Sequence, residues 1–134
     1  MNMELRDKKR KFIDSIKDAL RGIKHTYKTE KNFKREVIIG LIVIICGVLF
    51  KLNITEWLII ILLIGWVLTC ELINTTIEKT IDLYTAKYNE IAKIVKDASG
   101  GAVLVSSITS STIGLLIFVP KIISLIKELL WKKN

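Results

Sequence analysis

The 134-residue chain carries 21 Lys and Arg against 13 Asp and Glu, a formal charge of +8, and 51% of it is apolar. That length admits one domain and excludes a multidomain enzyme. With 25% of residues charged and a mean hydropathy of +0.43, the apolar and charged populations must be segregated along the chain.

Residues 5–29 read as an amphipathic helix. Phe12, Ile13, Ile16, Ala19, Leu20, Ile23 and Tyr27 recur at the helical period. Lys11, Asp14, Lys17, Asp18, Arg21 and Lys24 lie between them. Such a helix is expected to lie in the membrane interface, apolar face down. The alternative is a helix packed on a partner of its own. The first eleven residues are polar and charged with no apolar stretch behind them, so no cleavable signal peptide is expected.

Thr29 to Glu36 reads as a polar link, and a first membrane helix is expected over residues 34–53. Its charge-free run, Val37 to Phe50, is short for a bilayer core of about 30 Å, which takes about 20 helical residues. It is apolar on all sides, however, and Lys51 can snorkel at its end. A turn around Lys51 to Glu56 leads to a second span, 56–83, with Trp57 as an interfacial anchor. Glu71 is the single charge within Trp57 to Ile77, and the lack of Gly or Pro from Glu71 to Asp82 predicts that this helix runs on into the cytoplasm. The third span, 97–120, is charge-free from Ala98 to Pro120. It opens on the small residues Ser99, Gly100, Gly101 and Ala102, which permit close helix contact. Residues 121–134 read as a weaker amphipathic tail beyond Pro120.

Of the 21 basic residues, 12 precede residue 37, and Lys79, Lys87, Lys93 and Lys96 lie between the second and third spans. The positive-inside rule places both segments in the cytoplasm. It also puts the C-terminal tail outside despite its four lysines. The basic excess is read as attraction to anionic lipid headgroups and not as nucleic-acid binding. Cys46 and Cys70 lie inside apolar runs without metal-ligand spacing, and His25 is the only histidine, so both cysteines read as small apolar residues.

The chemistry is expected in the segment Glu71-Leu-Ile-Asn74-Thr-Thr-Ile-Glu78-Lys-Thr-Ile-Asp82. Its polar members point within a sector of roughly 80° on an apolar helix. Ionisable groups near membrane depth are costly, and function is the default reading for Glu71. Asp82 reads equally well as the solvated end of the helix. A carboxylate in a partly apolar site suits a general base, and one nearer water suits a hard divalent cation. Mg²⁺ keeps one or two carboxylates and completes its shell with phosphate oxygens and water. Glu30, Lys96 and Asp97 are expected on the same side. Carboxylates, a lysine and a membrane boundary together suit phosphoryl transfer to a lipid hydroxyl. The sequence holds no Walker A motif, Gly-rich kinase loop or His-Arg-Asp triplet, so any ATP must be held by metal and side chains. Two other classes compete with this reading: a small oligomeric transporter with Glu71 as a proton-relay carboxylate, and a non-catalytic membrane scaffold.

The stripe, followed by Ala92-Lys-x-x-Lys96-Asp97 and Gly101-Ala-Val-Leu104, resembles the prokaryotic diacylglycerol kinase family, which includes the undecaprenol kinases of Gram-positive bacteria. Gly22 after a basic residue and Glu30-x-x-Phe33-Lys-x-Glu36 agree, and the resemblance covers roughly residues 8–120. It implies an all-α integral membrane protein: three transmembrane helices plus an N-terminal amphipathic surface helix, assembled as a homotrimer in the cell membrane with active sites shared at the cytoplasmic face. It implies ATP as phosphoryl donor, Mg²⁺ as cofactor and a membrane lipid as acceptor. Glu71 would take the lipid hydroxyl proton, with Asn74 orienting the base or the substrate. Glu30 and Glu78 would hold Mg²⁺ and, through it, the nucleotide. Lys96 and Asp97 would bind ATP, alongside Lys87, Tyr88 and Asn89, with Asp18 and Lys11 near the nucleotide or lipid from the surface helix. Glu36 and Gly100 would join Glu71 at the lipid. Asn89 stands where His is common in the family. Gly100, Gly101 and the length past Pro120 resemble the Gram-positive branch, so undecaprenol is the expected lipid and diacylglycerol the alternative.

Overall fold

The computed structural model of the protein describes residues 12–85 and 88–131, and the described chain is helical throughout apart from short turns. Four helices follow in order: α1 (Phe12–Thr29), α2 (Lys31–Leu49), α3 (Ile54–Tyr84) and α4 (Glu90–Trp131). α3 is central, packed most extensively by α4 and next by α2, while α1 touches α2 and α3. Two of these helices, α3 and α4, are long and apolar enough to cross a membrane.

The burial pattern is inverted relative to a water-soluble protein. The buried apolar residues among those described are Phe33, Leu52, Ile60 and Val67, whereas Glu71, Asn74, Thr75, Ser99 and Ser106 are buried too. Leu62 and Leu116 are about 70% exposed, and Ser106 only 2%. Water would penalise so large an apolar surface. A hydrocarbon surround makes it the favourable one and drives polar groups inward.

The expected polar link from Thr29 to Glu36 shrinks to one residue. Glu30 alone is extended (φ −101°, ψ 116°), and α2 starts at Lys31. Residues 31–36 contain no Gly or Pro, and the Glu30 carbonyl already accepts the Lys34 N–H at 3.2 Å, so the first turn of α2 closes at once. The Lys34 ammonium lies 5.8 Å from the Tyr27 ring centroid and straps the corner from outside. Phe33, in the first turn of α2, is buried.

The α2–α3 turn is closed by its caps. Lys51 takes the left-handed conformation (φ 51°). Its N–H donates to Val48 C=O and the Leu52 N–H to Gly47 C=O, which together satisfy the last carbonyls of α2. Asn53 and Glu56 form a reciprocal capping box at the start of α3. Gly47 is needed here: a Cβ would lie 2.8 Å from the Trp57 ring and 3.1 Å from Leu52. Trp57, expected as an interfacial anchor, also covers this glycine.

The expected division at Pro120 is absent. α4 passes through Pro120 to Trp131 without a break. Proline deprives the Leu116 carbonyl of its donor, but just past it Lys121 reaches back to the Glu56 carboxylate at 2.9 Å and fixes the helix against the start of α3.

Candidate functional site

The stripe on α3 forms a gradient of exposure. Glu71 is 3% exposed and Asn74 7%, Glu78 is half-buried, and Asp82 is exposed. The helical rise spreads these groups over about 16 Å, from the packed interior to its polar end. α4 supplies the partners. The Ser99 hydroxyl donates to Asn74 Oδ1 at 2.6 Å, and Asn74 Nδ2 donates to Glu78 Oε1 at 3.3 Å. Both ends of the Asn74 amide are thus used, and the Glu78 carboxylate is oriented from behind. From the sequence alone Ser99 reads only as a small residue that lets helices approach. Its role needs a partner 25 residues away, which the local pattern does not reveal.

Glu71 has no side-chain hydrogen bond among the described residues. It does lie in the electrostatic field of Glu36, Glu78 and Glu30, so four carboxylates from the corner, α2 and α3 converge on one region. Glu30 accepts from Lys79 Nζ at 2.7 Å and from Thr29 Oγ1 at 3.2 Å. The Lys79 ammonium holds the Glu30 carboxyl below its ordinary range, against a smaller opposing effect of burial.

Beyond Glu78 lies a shallow concavity of about 300 Å³, lined by Asp82, Tyr88, Asn89, Lys96 and Asp97 among others. The structure therefore brings four of the expected nucleotide residues together. Lys96 pairs with Asp82 across the α3–α4 groove, so Asp82 is more than a solvated end. Asn89 has a structural duty as well: its Oδ1 accepts the Ala92 N–H at 3.0 Å and caps α4. Asp18 pairs with Arg21 along α1 and lines neither cavity, and Gly100 lines neither cavity. Lys11 and Lys87 lie outside the described residues.

A second, apolar cleft of about 450 Å³ runs between α2 and α4 over α3. Glu36 stands at one end and Phe118 at the other, with Gly40, Ile64, Ser110 and Gly114 along its walls. Glu36 thus belongs both to the carboxylate group and to the cleft.

Among the described residues no group of three or more His, Cys, Asp or Glu could hold a metal ion. The donor set still fits Mg²⁺, which needs only one or two protein carboxylates. Glu30 and Glu78 offer hard oxygen ligands, and a cation, Lys79, already lies among the negative charges of Glu30, Glu78 and Asp82.

An all-helical membrane protein with carboxylates graded from its interior to a lysine-lined concavity has the attributes of a membrane phosphotransferase. A model of the prokaryotic diacylglycerol kinase family matches residues 17–118. The chain belongs to that family, and is therefore a lipid kinase. It is 48% identical over 117 residues to an undecaprenol kinase of Bacillus subtilis, covering 87% of this chain and 95% of that protein. It is 32% identical over 115 residues to a diacylglycerol kinase of Synechocystis, covering 85% and 66%. A Helicobacter pylori diacylglycerol kinase is 31% identical over 87 residues, covering 65% and 68%.

Proposed function

We propose that the chain transfers the γ-phosphoryl group of ATP to the hydroxyl of undecaprenol, yielding undecaprenyl phosphate and ADP. The observation that carries this reading is Glu71: a buried carboxylate with no side-chain hydrogen bond among the described residues, on α3 between the turns that line the apolar cleft and those that line the polar concavity, itself lining neither. Higher identity to the undecaprenol kinase supports undecaprenol over diacylglycerol, the second substrate reading, which the other two relatives favour.

The lipid chain runs along the cleft with its hydroxyl emerging past Glu36 at Glu71. Glu71 accepts the hydroxyl proton as the oxygen bonds to phosphorus and the bond to the leaving ADP oxygen breaks. Asn74, fixed by Ser99, keeps the neighbouring carboxylate in place. Glu30 and Glu78 hold Mg²⁺, which would neutralise charge on the phosphate oxygens when bound. Lys96 moves from Asp82 to the phosphates, and Tyr88, Asn89 and Asp97 flank the nucleotide.

α2 serves as a third membrane span beside α3 and α4, with α1 on the cytoplasmic surface, and three chains share their sites. The positive-inside distribution supports this orientation. The open faces of Gly100 and Gly101, whose Cβ positions meet nothing within 4 Å, support the assembly.

The test is transfer from labelled ATP to undecaprenol and to dioleoylglycerol, in parallel, in detergent with Mg²⁺. Undecaprenol is expected to be the better acceptor, and no transfer to either lipid would sink the reading. Glu71→Gln is expected to lower turnover by at least 100-fold while nucleotide binding persists. Glu78→Gln is expected to weaken Mg²⁺–nucleotide binding. Near-normal turnover in Glu71→Gln would remove it as the base.

A further inference from the structure

Glu30 occupies the N-cap of α2 yet makes no side-chain capping bond. Asp, Asn, Ser or Thr would cap better there. The longer side chain turns instead to α3, where Lys79 meets it at 2.7 Å. As a stabilising device this pair is weak, because the Lys79 side chain is 52% exposed and the Glu30 side chain 27%. Its position is more informative. Lys79 follows Glu78 directly, and its ammonium is attracted by Glu30, Asp82 and Glu78 together. It therefore supplies the positive charge in the place where the two metal-binding carboxylates of the proposed kinase site come together.

Charge balance then constrains the order of events. A divalent ion that takes Glu30 must compete with the ammonium. Once displaced, the ammonium stands as a like charge beside the ion unless an anion arrives with it. The anion available in this chemistry is the phosphate chain of the nucleotide. We propose that Lys79 is a positioning residue that couples metal and nucleotide binding, holding Glu30 on α3 ahead of metal entry and passing to the phosphate oxygens when the metal takes Glu30. This rests on the kinase reading above. It makes metal alone a poor ligand and the metal–nucleotide complex a good one, a coupling of the kind that spans about 5- to 150-fold in affinity.

The experiment measures Mn²⁺ binding by electron paramagnetic resonance, with and without ADP, on the full chain in detergent. The parent is compared with Lys79→Met and Lys79→Arg. In the parent, ADP is expected to tighten Mn²⁺ binding. In Lys79→Met, Mn²⁺ alone binds several-fold more tightly, ADP alone more weakly, and the coupling falls about tenfold. Lys79→Arg, which keeps the charge and reaches Glu30, restores most of the coupling and guards against misfolding of the methionine variant. Unchanged coupling in Lys79→Met, in protein that still transfers phosphate to lipid, overturns this inference alone. A parent that binds neither Mn²⁺ nor ADP and transfers no phosphate overturns the kinase reading with it.

Discussion

At the scale of single residues, the site depends on which carboxylates are paired and which are not. Glu30 is paired, Glu78 is oriented through Asn74 and Ser99, and Glu71 makes no side-chain hydrogen bond among the described residues. The Glu30–Lys79 pair has a pH signature. Because the ion pair lowers the Glu30 pKa in the folded state, its stabilisation is present above the ordinary glutamate range and is lost as pH falls through the depressed value. Thermal unfolding in detergent should therefore show the parent more stable than Glu30→Gln near pH 6, with the difference shrinking below about pH 4. A difference that grows in acid would contradict the pairing. The α3 stripe could be read from the sequence because helical periodicity is local. Lys79 and Ser99 could not, since their partners are distant in the chain and Lys and Ser are ordinary at exposed and helix-contact positions. Charge placement put Glu30 on the same side, the family resemblance gave it the metal, and periodicity gave no hint of it.

At the scale of helices, the existence of each element followed from its pattern, whereas the boundaries depended on context. Residues 31–36 looked like a link because they are polar, but polarity is compatible with a solvated first turn, and α2 claims them. Pro120 looked like an end because the charge-free run stops there and an amphipathic stretch follows. The Lys121–Glu56 pair carries the helix past it. The cleft between α2 and α4 could not be foreseen, because it arises from how two helices flank a third. It yields a prediction. A Cβ at Gly114 meets nothing within 4 Å, so Gly114→Leu can enter the cleft without clashing at its base. Its KM for undecaprenol should rise about tenfold, a loss near 1.4 kcal/mol of chain binding. A short-chain prenol that barely enters the cleft should be phosphorylated as before. Equal losses for both alcohols would place the lipid elsewhere.

At the scale of the molecule, the inverted burial leaves large apolar faces on α2, α3 and α4, which lipid and neighbouring copies can share. If sites are shared between chains, the carboxylates of one facing the lysine-lined concavity of the next, Glu71→Gln and Lys96→Met protomers refolded together should recover a fraction of parental turnover that neither has alone, because some sites receive intact groups from both. Mixtures as inactive as the separate variants would mean each chain works by itself.

The two ion pairs that join α3 to α4 have a consequence of this larger kind. Lys96–Asp82 closes one end of the helix pair and Lys121–Glu56 the other. Counted along either helix, they stand about 37–39 Å apart at 1.5 Å per residue. That is the hydrocarbon core of about 30 Å with a polar margin of about 8 Å, which falls on the Asp82 side so that Glu78 stays outside the oil. If the two pairs sit at the two membrane surfaces, the protein gauges membrane thickness. In thinner bilayers the chain ends of the lipids cannot cover the span, and in thicker ones a charged pair is drawn into oil, each costing a fraction of a kcal/mol per ångström. Turnover in vesicles of graded acyl length should pass through a maximum near the matched thickness, and Lys121→Met should broaden that maximum toward thicker bilayers.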